Sequence, residues 1–125
     1  MENAVKIAVY GTLKQGHHNH HYIDGAKFLG DCITEAEYTM HSMGGFPAIR
    51  KDGNTSITLE VYEVSDPVML KDIYGLEGYT GQRDNDLNWY DTTLVNTPYG
   101  EAEMFYFKNE VNRPVIASGV WLKNN

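Results

Sequence analysis

Apolar residues along this chain fall in short runs divided by single glycines and prolines, the punctuation of strands joined by turns. Val5 to Tyr10 is almost continuously apolar and stops at Gly11, so it predicts a buried strand with a turn directly after its C-terminal end. Asn19 to Asp24 predicts one helical turn. From Lys27 to Tyr38, the positions of Phe28, Cys32, Ile33, Ala36 and Tyr38 predict one long or bent strand, with Gly30 at a bulge. A short strand over Phe46 to Arg50, a turn at Asp52-Gly53 and an alternating strand over Ile57 to Val64 together predict a hairpin across Asp52-Gly53.

Ser65-Asp66-Pro67 is the clearest start signal: a capping residue, then proline at the first helical position, then Val68, Met69, Leu70, Ile73 and Tyr74. The helix is expected to stop near Gly75, and Leu76 to Leu87 reads as a polar loop. Strands over Tyr90 to Asn96 and Glu101 to Phe107 follow, joined by Pro98-Tyr99-Gly100. Many strands with little helix give an α+β class.

Composition narrows the function. A chain of 125 residues without repeats or linkers reads as one domain, residues 1–125. A formal charge of -7 with scattered acidic residues argues against a nucleic-acid surface, which needs clustered lysine and arginine. The apolar runs are too short for a bilayer and Met1-Glu2-Asn3 is unlike a signal n-region, so the expectation is a cytoplasmic protein with no membrane partner. Cys32 is the single cysteine; in a strand-like context it reads as a structural thiol rather than a nucleophile.

The richest chemistry lies in VYGTLKQGHHNHH, Val9 to His21. Its glycine spacing fails GxGxxG and lacks the Lys-Ser/Thr of a P-loop, although a turn after a strand can form an anion-binding nest from backbone N–H groups alone. His17, His18, His20 and His21 have helical metal spacing, but no helix is expected this early and only Asp24 is near enough to join them; polar loop residues are the simpler reading. Glu77, in YGLEGY, sits where a partly apolar wall would raise its pKa toward that of a general base; the alternative is a helix-end glutamate facing water. Tyr10, Tyr38, Tyr90, Tyr99, Tyr106, Trp89 and Trp121 read first as core or cleft aromatics, with the tryptophans as anchors of a small core.

Taken in order, VYGTLKQGHHNHHYI, FLGD, GGFPAI, LEVYEV, LKDIYGLEGY, Tyr90, AEMFYF and SGVW resemble the γ-glutamylcyclotransferase family, in particular its AIG2-like, small bacterial-type members, from about Val5 to Trp121. The resemblance implies a small mixed barrel-like β-sheet with a few short helices. It implies that an amine within a γ-glutamyl group closes on its own γ-carbonyl to give 5-oxoproline and release an amine or amino acid. Glu77 takes the catalytic position, and Tyr10, Gly11, Thr12, Leu13, Asn19, Tyr90 and Tyr106 become substrate-binding residues. The small-molecule γ-glutamyl substrate would need no metal and no cofactor. Departures from the family pattern at Leu59, Asp91-Thr92 and Val120 bear on the leaving group, and the polar segment Thr80 to Asn88 is expected to overlook the cleft and favour a cationic amine. The alternative to an enzyme is a module on the same fold that binds a small metabolite or peptide without turnover.

Overall fold

The computed structural model describes residues 4–122; Met1-Glu2-Asn3 lie outside them. Its elements are β1 (Val5–Val9), a 3-10 turn (His20–Tyr22), β2 (Lys27–Ile33), β3 (Tyr38–Ser42), β4 (Pro47–Thr55), β5 (Thr58–Val64), α1 (Pro67–Glu77), β6 (Asp91–Thr97) and β7 (Gly100–Tyr106). The near-continuous apolar run of β1 is explained by its place in the middle of a five-stranded sheet of order β2-β5-β1-β7-β6. It pairs antiparallel with β5 and parallel with β7, Ile7 standing opposite Tyr62 on one side and Glu103 on the other. The expected mixed sheet is therefore present, in open form with β2 and β6 as its edges, beside a second sheet of β3 and β4.

Both faces of β1 are buried. Ile7 and Val9 pack with Tyr62, Ile73, Tyr90 and Phe105 beneath α1, whereas Ala8 packs with Met40, Ile49, Leu59, Met104 and Trp121 beneath the β3–β4 hairpin. The chain after β7 runs along β3, where Ser42 N–H donates to the Pro114 carbonyl and Ile116 N–H to the Met40 carbonyl, each at 2.8 Å.

Several expectations change. The single strand read over Lys27 to Tyr38 divides into β2 and β3, which join different sheets. The bulge at Gly30 is found: the β2–β5 register shifts between Phe28 and Gly30, where the Tyr99 hydroxyl comes so close that a Cβ has no room. The hairpin turn placed at Asp52-Gly53 is not there. β4 runs through it to Thr55 and pairs with β3 rather than β5. The register slips so that Tyr38 faces Thr55 while Thr39 faces Arg50, and the surplus β4 residues form a bulge in which Gly53 lies too close to Tyr38 and Thr39 for a Cβ. The actual turn is Met43 to Phe46, closed by a 2.8 Å bond from Met43 N–H to the Phe46 carbonyl. An Asp-Gly pair in a polar stretch signals a backbone irregularity and does not by itself distinguish a turn from a bulge.

The helix starts as expected, the Asp66 carboxylate accepting from Val68 N–H at 2.9 Å ahead of Pro67. It continues beyond Gly75 and ends at Glu77, because Gly78 adopts the left-handed conformation (φ 66°) that closes the last turn. An interior glycine costs about 1 kcal/mol, too little to stop a helix that has a better stop three residues on.

Candidate active site

Those two extra residues place the candidate carboxylate, Glu77. The last turn of α1 is stitched to the approach of β6: Trp89 N–H donates to the Gly78 carbonyl at 2.8 Å and Tyr90 N–H to the Glu77 carbonyl at 3.2 Å. Only glycine fits at the junction, since a Cβ on Gly78 would lie 2.9 Å from that of Trp89. Glu77 and Tyr90 thus reach the same cavity from adjacent backbones.

The cavity, of about 220 Å³, opens beyond the C-terminal end of β1. Its wall comes from the end of β1 and the loop after it, from Phe46 and Pro47, from Leu76 and Glu77, from Trp89 and Tyr90, and from Phe105. No side chain among the described residues donates a hydrogen bond to the Glu77 carboxylate, and its apolar surroundings push its pKa up to about 7 by burial. Tyr10 and Tyr90 flank it. Burial, with the negative charges around them, drives both phenols well above their ordinary value. They stay protonated and are spoken for, Tyr10 donating to the Phe105 carbonyl at 2.8 Å and Tyr90 to the Pro47 carbonyl at 2.7 Å.

The loop is built to leave donors free. Lys14 N–H bonds the Gly11 carbonyl and Asn19 N–H the Thr12 carbonyl, while the Asn19 side chain donates to Thr12 Oγ1 at 3.0 Å. His20 Nδ1 donates to the Leu13 carbonyl at 2.9 Å. The carbonyls of the loop are therefore used, whereas the N–H groups of Gly11, Thr12 and Leu13 find no acceptor among the described residues. Consecutive unpaired N–H groups beside a cavity make a site for an anion or an oxyanion. Two outer ties hold the loop: Gln15 N–H donates to Glu60 Oε1 at 2.9 Å, and the buried Lys14 ammonium to the Trp121 carbonyl at 2.8 Å.

Seven of the residues singled out from sequence, namely Tyr10, Gly11, Thr12, Leu13, Asn19, Glu77 and Tyr90, line this one cavity. Tyr106 does not. It shares a pleat side of β7 with Ala102 and Met104, packs on the opposite core and has the Lys51 ammonium 4.9 Å above its ring. Its neighbour Phe105 takes the cavity side, as strand alternation requires. Trp89, read as a core anchor, is 51% exposed at the cavity, whereas Trp121 is buried as an anchor should be. Phe46, Pro47 and Leu76 were also missed; the only signal for them was proximity to GGFP and YGLEG in the chain. The segment Thr80 to Asn88 contributes no residue to the lining.

The histidines do not gather. His18 lines the cavity, His20 is turned to Leu13 and lies 3.9 Å from Asp24, and His21 stacks on Tyr22; among the described residues no three potential ligands are grouped to hold a metal. Cys32 is half-buried in β2, where burial and then the charge of Asp31 push its thiol up, the opposite of an activated nucleophile. No helix among the described residues is long and apolar enough to cross a membrane.

An open mixed sheet with a small second sheet and one helix is a fold shared with a known family. The family model for "Gamma-glutamyl cyclotransferase, AIG2-like" matches residues 7–123, and the chain belongs to that family. It is 32% identical over 119 residues to the gamma-glutamylcyclotransferase family protein YtfP of Escherichia coli K12, covering 94% of this chain and 96% of that protein. Among solved structures, a Pyrococcus horikoshii protein superposes with a TM-score of 0.75 at 34% identity, covering 93% of this chain and 88% of its own. The solution structure of the Escherichia coli protein gives 0.68 at 33% identity, covering 96% and 98%.

Proposed function

We propose that the protein converts a γ-glutamyl amide to 5-oxoproline and a free amine, with Glu77 as the proton-transfer group. The observation that carries this is a half-buried carboxylate in an apolar wall, with no hydrogen-bond donor among the described residues, held across one cavity from a loop whose N–H groups have no acceptor among them. The substrate brings an α-ammonium, an α-carboxylate and a γ-amide. Glu77, with a pKa of about 7, takes a proton from the ammonium and frees its lone pair. The amine nitrogen then attacks the γ-carbonyl carbon. A C–N bond closes the five-membered lactam, the old amide C–N bond breaks, and Glu77 returns its proton to the departing nitrogen. The amine's second proton ends on the released amine, so no water, oxidant or metal enters the balance.

The N–H groups of Gly11, Thr12 and Leu13 receive substrate oxygens, which supplies positive potential inside an acidic protein. An oxyanion donor of this kind is worth about 3 kcal/mol in other acyl-transfer sites. Asn19 braces the loop through Thr12, and Tyr90 walls the cavity beside Glu77. Folding the extended γ-glutamyl chain so that amine and carbonyl meet at about 3 Å is the other service of a closed cavity.

The test follows 5-oxoproline by mass spectrometry in a panel of γ-glutamyl amino acids and amines, for the wild-type protein and Glu77→Gln. Release by the wild type and its loss in a folded Glu77→Gln protein is the expected result. Normal release by the variant would remove Glu77 from the mechanism. Binding without release of 5-oxoproline from any member would favour the non-catalytic binding module.

A further inference from the structure

Glu77 and the loop after β1 account for the amino-acid half of a γ-glutamyl compound; the departing amine must occupy what remains of the cavity. Val9, Leu13, Tyr90 and Phe105 are buried and form its floor. Lining residues that keep contact with solvent mark the mouth: Trp89 and His18 are exposed, and Phe46 is half-buried. The rings of Phe46 and Trp89 meet edge-on with centroids 5.7 Å apart, and Phe107 backs the indole at 5.6 Å. The indole is thereby fixed while 51% of the residue stays exposed. Among the described residues neither lysine nor arginine lines the cavity, and Glu77 is the only carboxylate that does. Asp84 and Asp86, the acidic residues of the loop before Trp89, both stand off the lining, and Asp84 is engaged by the Lys108 ammonium at 3.4 Å.

We propose that the site selects γ-glutamyl compounds whose departing amine carries an aromatic or branched apolar group, seated against Trp89 and Phe46 at the cavity mouth. The orientation of the substrate rests on the cyclisation reading above. A fixed, half-exposed indole offers apolar surface that a ring covers edge-on or offset, and each face so covered is removed from water. A cationic side chain finds no carboxylate at the mouth, and Glu77 is committed to proton transfer. The expectation of a cationic leaving group, drawn from the acidity of Thr80 to Asn88, is replaced because that segment lies off the cavity.

Glutaric monoamides keep the carboxylate and amide of a γ-glutamyl compound and lack the attacking amine, so their binding reads the mouth without turnover. Calorimetric dissociation constants are compared for the N-phenethyl, N-ethyl and N-(4-aminobutyl) amides. The phenethyl amide is expected to bind about tenfold tighter than the ethyl amide, with the aminobutyl amide no tighter than ethyl. In Trp89→Ala the phenethyl advantage should fall to about threefold or less while ethyl binding is kept; Phe46→Leu gives a second, milder reading of the same seat. Equal affinities, preference for the aminobutyl amide, no binding by any of the three, or an advantage that survives both variants overturns the proposal. Cyclisation is scored separately with γ-glutamylphenethylamine: if no 5-oxoproline appears while the binding order holds, the chemistry fails and the apolar seat stands.

Discussion

At the scale of the residue, Glu77 makes two predictions that share one cause. Burial keeps its proton on in the folded protein up to a pH of about 7, whereas an unfolded carboxyl releases it near 4.5. Between those values the native state binds the proton that the unfolded state has lost, so stability falls as pH rises through this window and is level above it. Glu77→Gln has no such proton to lose. Its melting temperature should match the wild type near pH 4 and exceed it at pH 8, with a gain of at most about 3 kcal/mol; a Gln variant less stable at pH 8 than at pH 4, relative to wild type, would contradict the burial. If the same group is the base, kcat/KM rises with pH along a limb centred near 7. Gly11 supplies a prediction of position. A Cβ there would lie 2.8 Å from the Pro47 ring, which cannot yield without moving β4, so Gly11→Ala should shift the loop and lower kcat/KM by about a hundredfold in a protein that still melts cooperatively.

At the scale of the element, the ends of α1 do different work. Asp66 caps its start at the surface, far along the helix from the cavity, and Asp66→Ala should cost about 1 kcal/mol, a few degrees in thermal melting, with kcat/KM unchanged. The far end aims the carboxylate. How much of this the sequence disclosed divides along a physical line. Local chemistry was legible: a cap, a proline, a bulge glycine and a near-continuous apolar strand each act within a few residues, and all four stand where the sequence pointed. The pairing of strands was not. Asp52-Gly53 carries the same residues in a bulge as in a turn, and which one forms depends on whether β4 meets β3 or β5, a choice made by distant packing. The site divides likewise. Loop and helix residues with polar chemistry were found, whereas Phe105 and Trp89 differ from ordinary core aromatics only in which side of the fold they face.

At the scale of the molecule, the cavity exists because separate segments converge beyond one strand end. The loop after β1 is tied to β5 through Glu60 and to the C-terminal segment through Lys14, so a defect in either partner reaches the site without touching it. Since the proposed proton path needs only a carboxylate, dialysis against EDTA should leave 5-oxoproline release unchanged. Loss of activity that zinc restores would return attention to the histidines.

The parallel pairing of β1 with β7 has a consequence for how the protein is made. Ile7 finds its partner at Glu103, so the middle strand of the sheet is synthesised long before one of its two neighbours exists. A ribosome that has translated through α1 holds a chain with β1, β5 and the Glu77 carboxylate already assembled in sequence, yet one long edge of β1 is bare and Phe105 is missing from the floor beneath Glu77. Nascent chains arrested before β7 should stay sensitive to protease and recruit chaperones, and resistance should appear abruptly once β7 clears the exit tunnel.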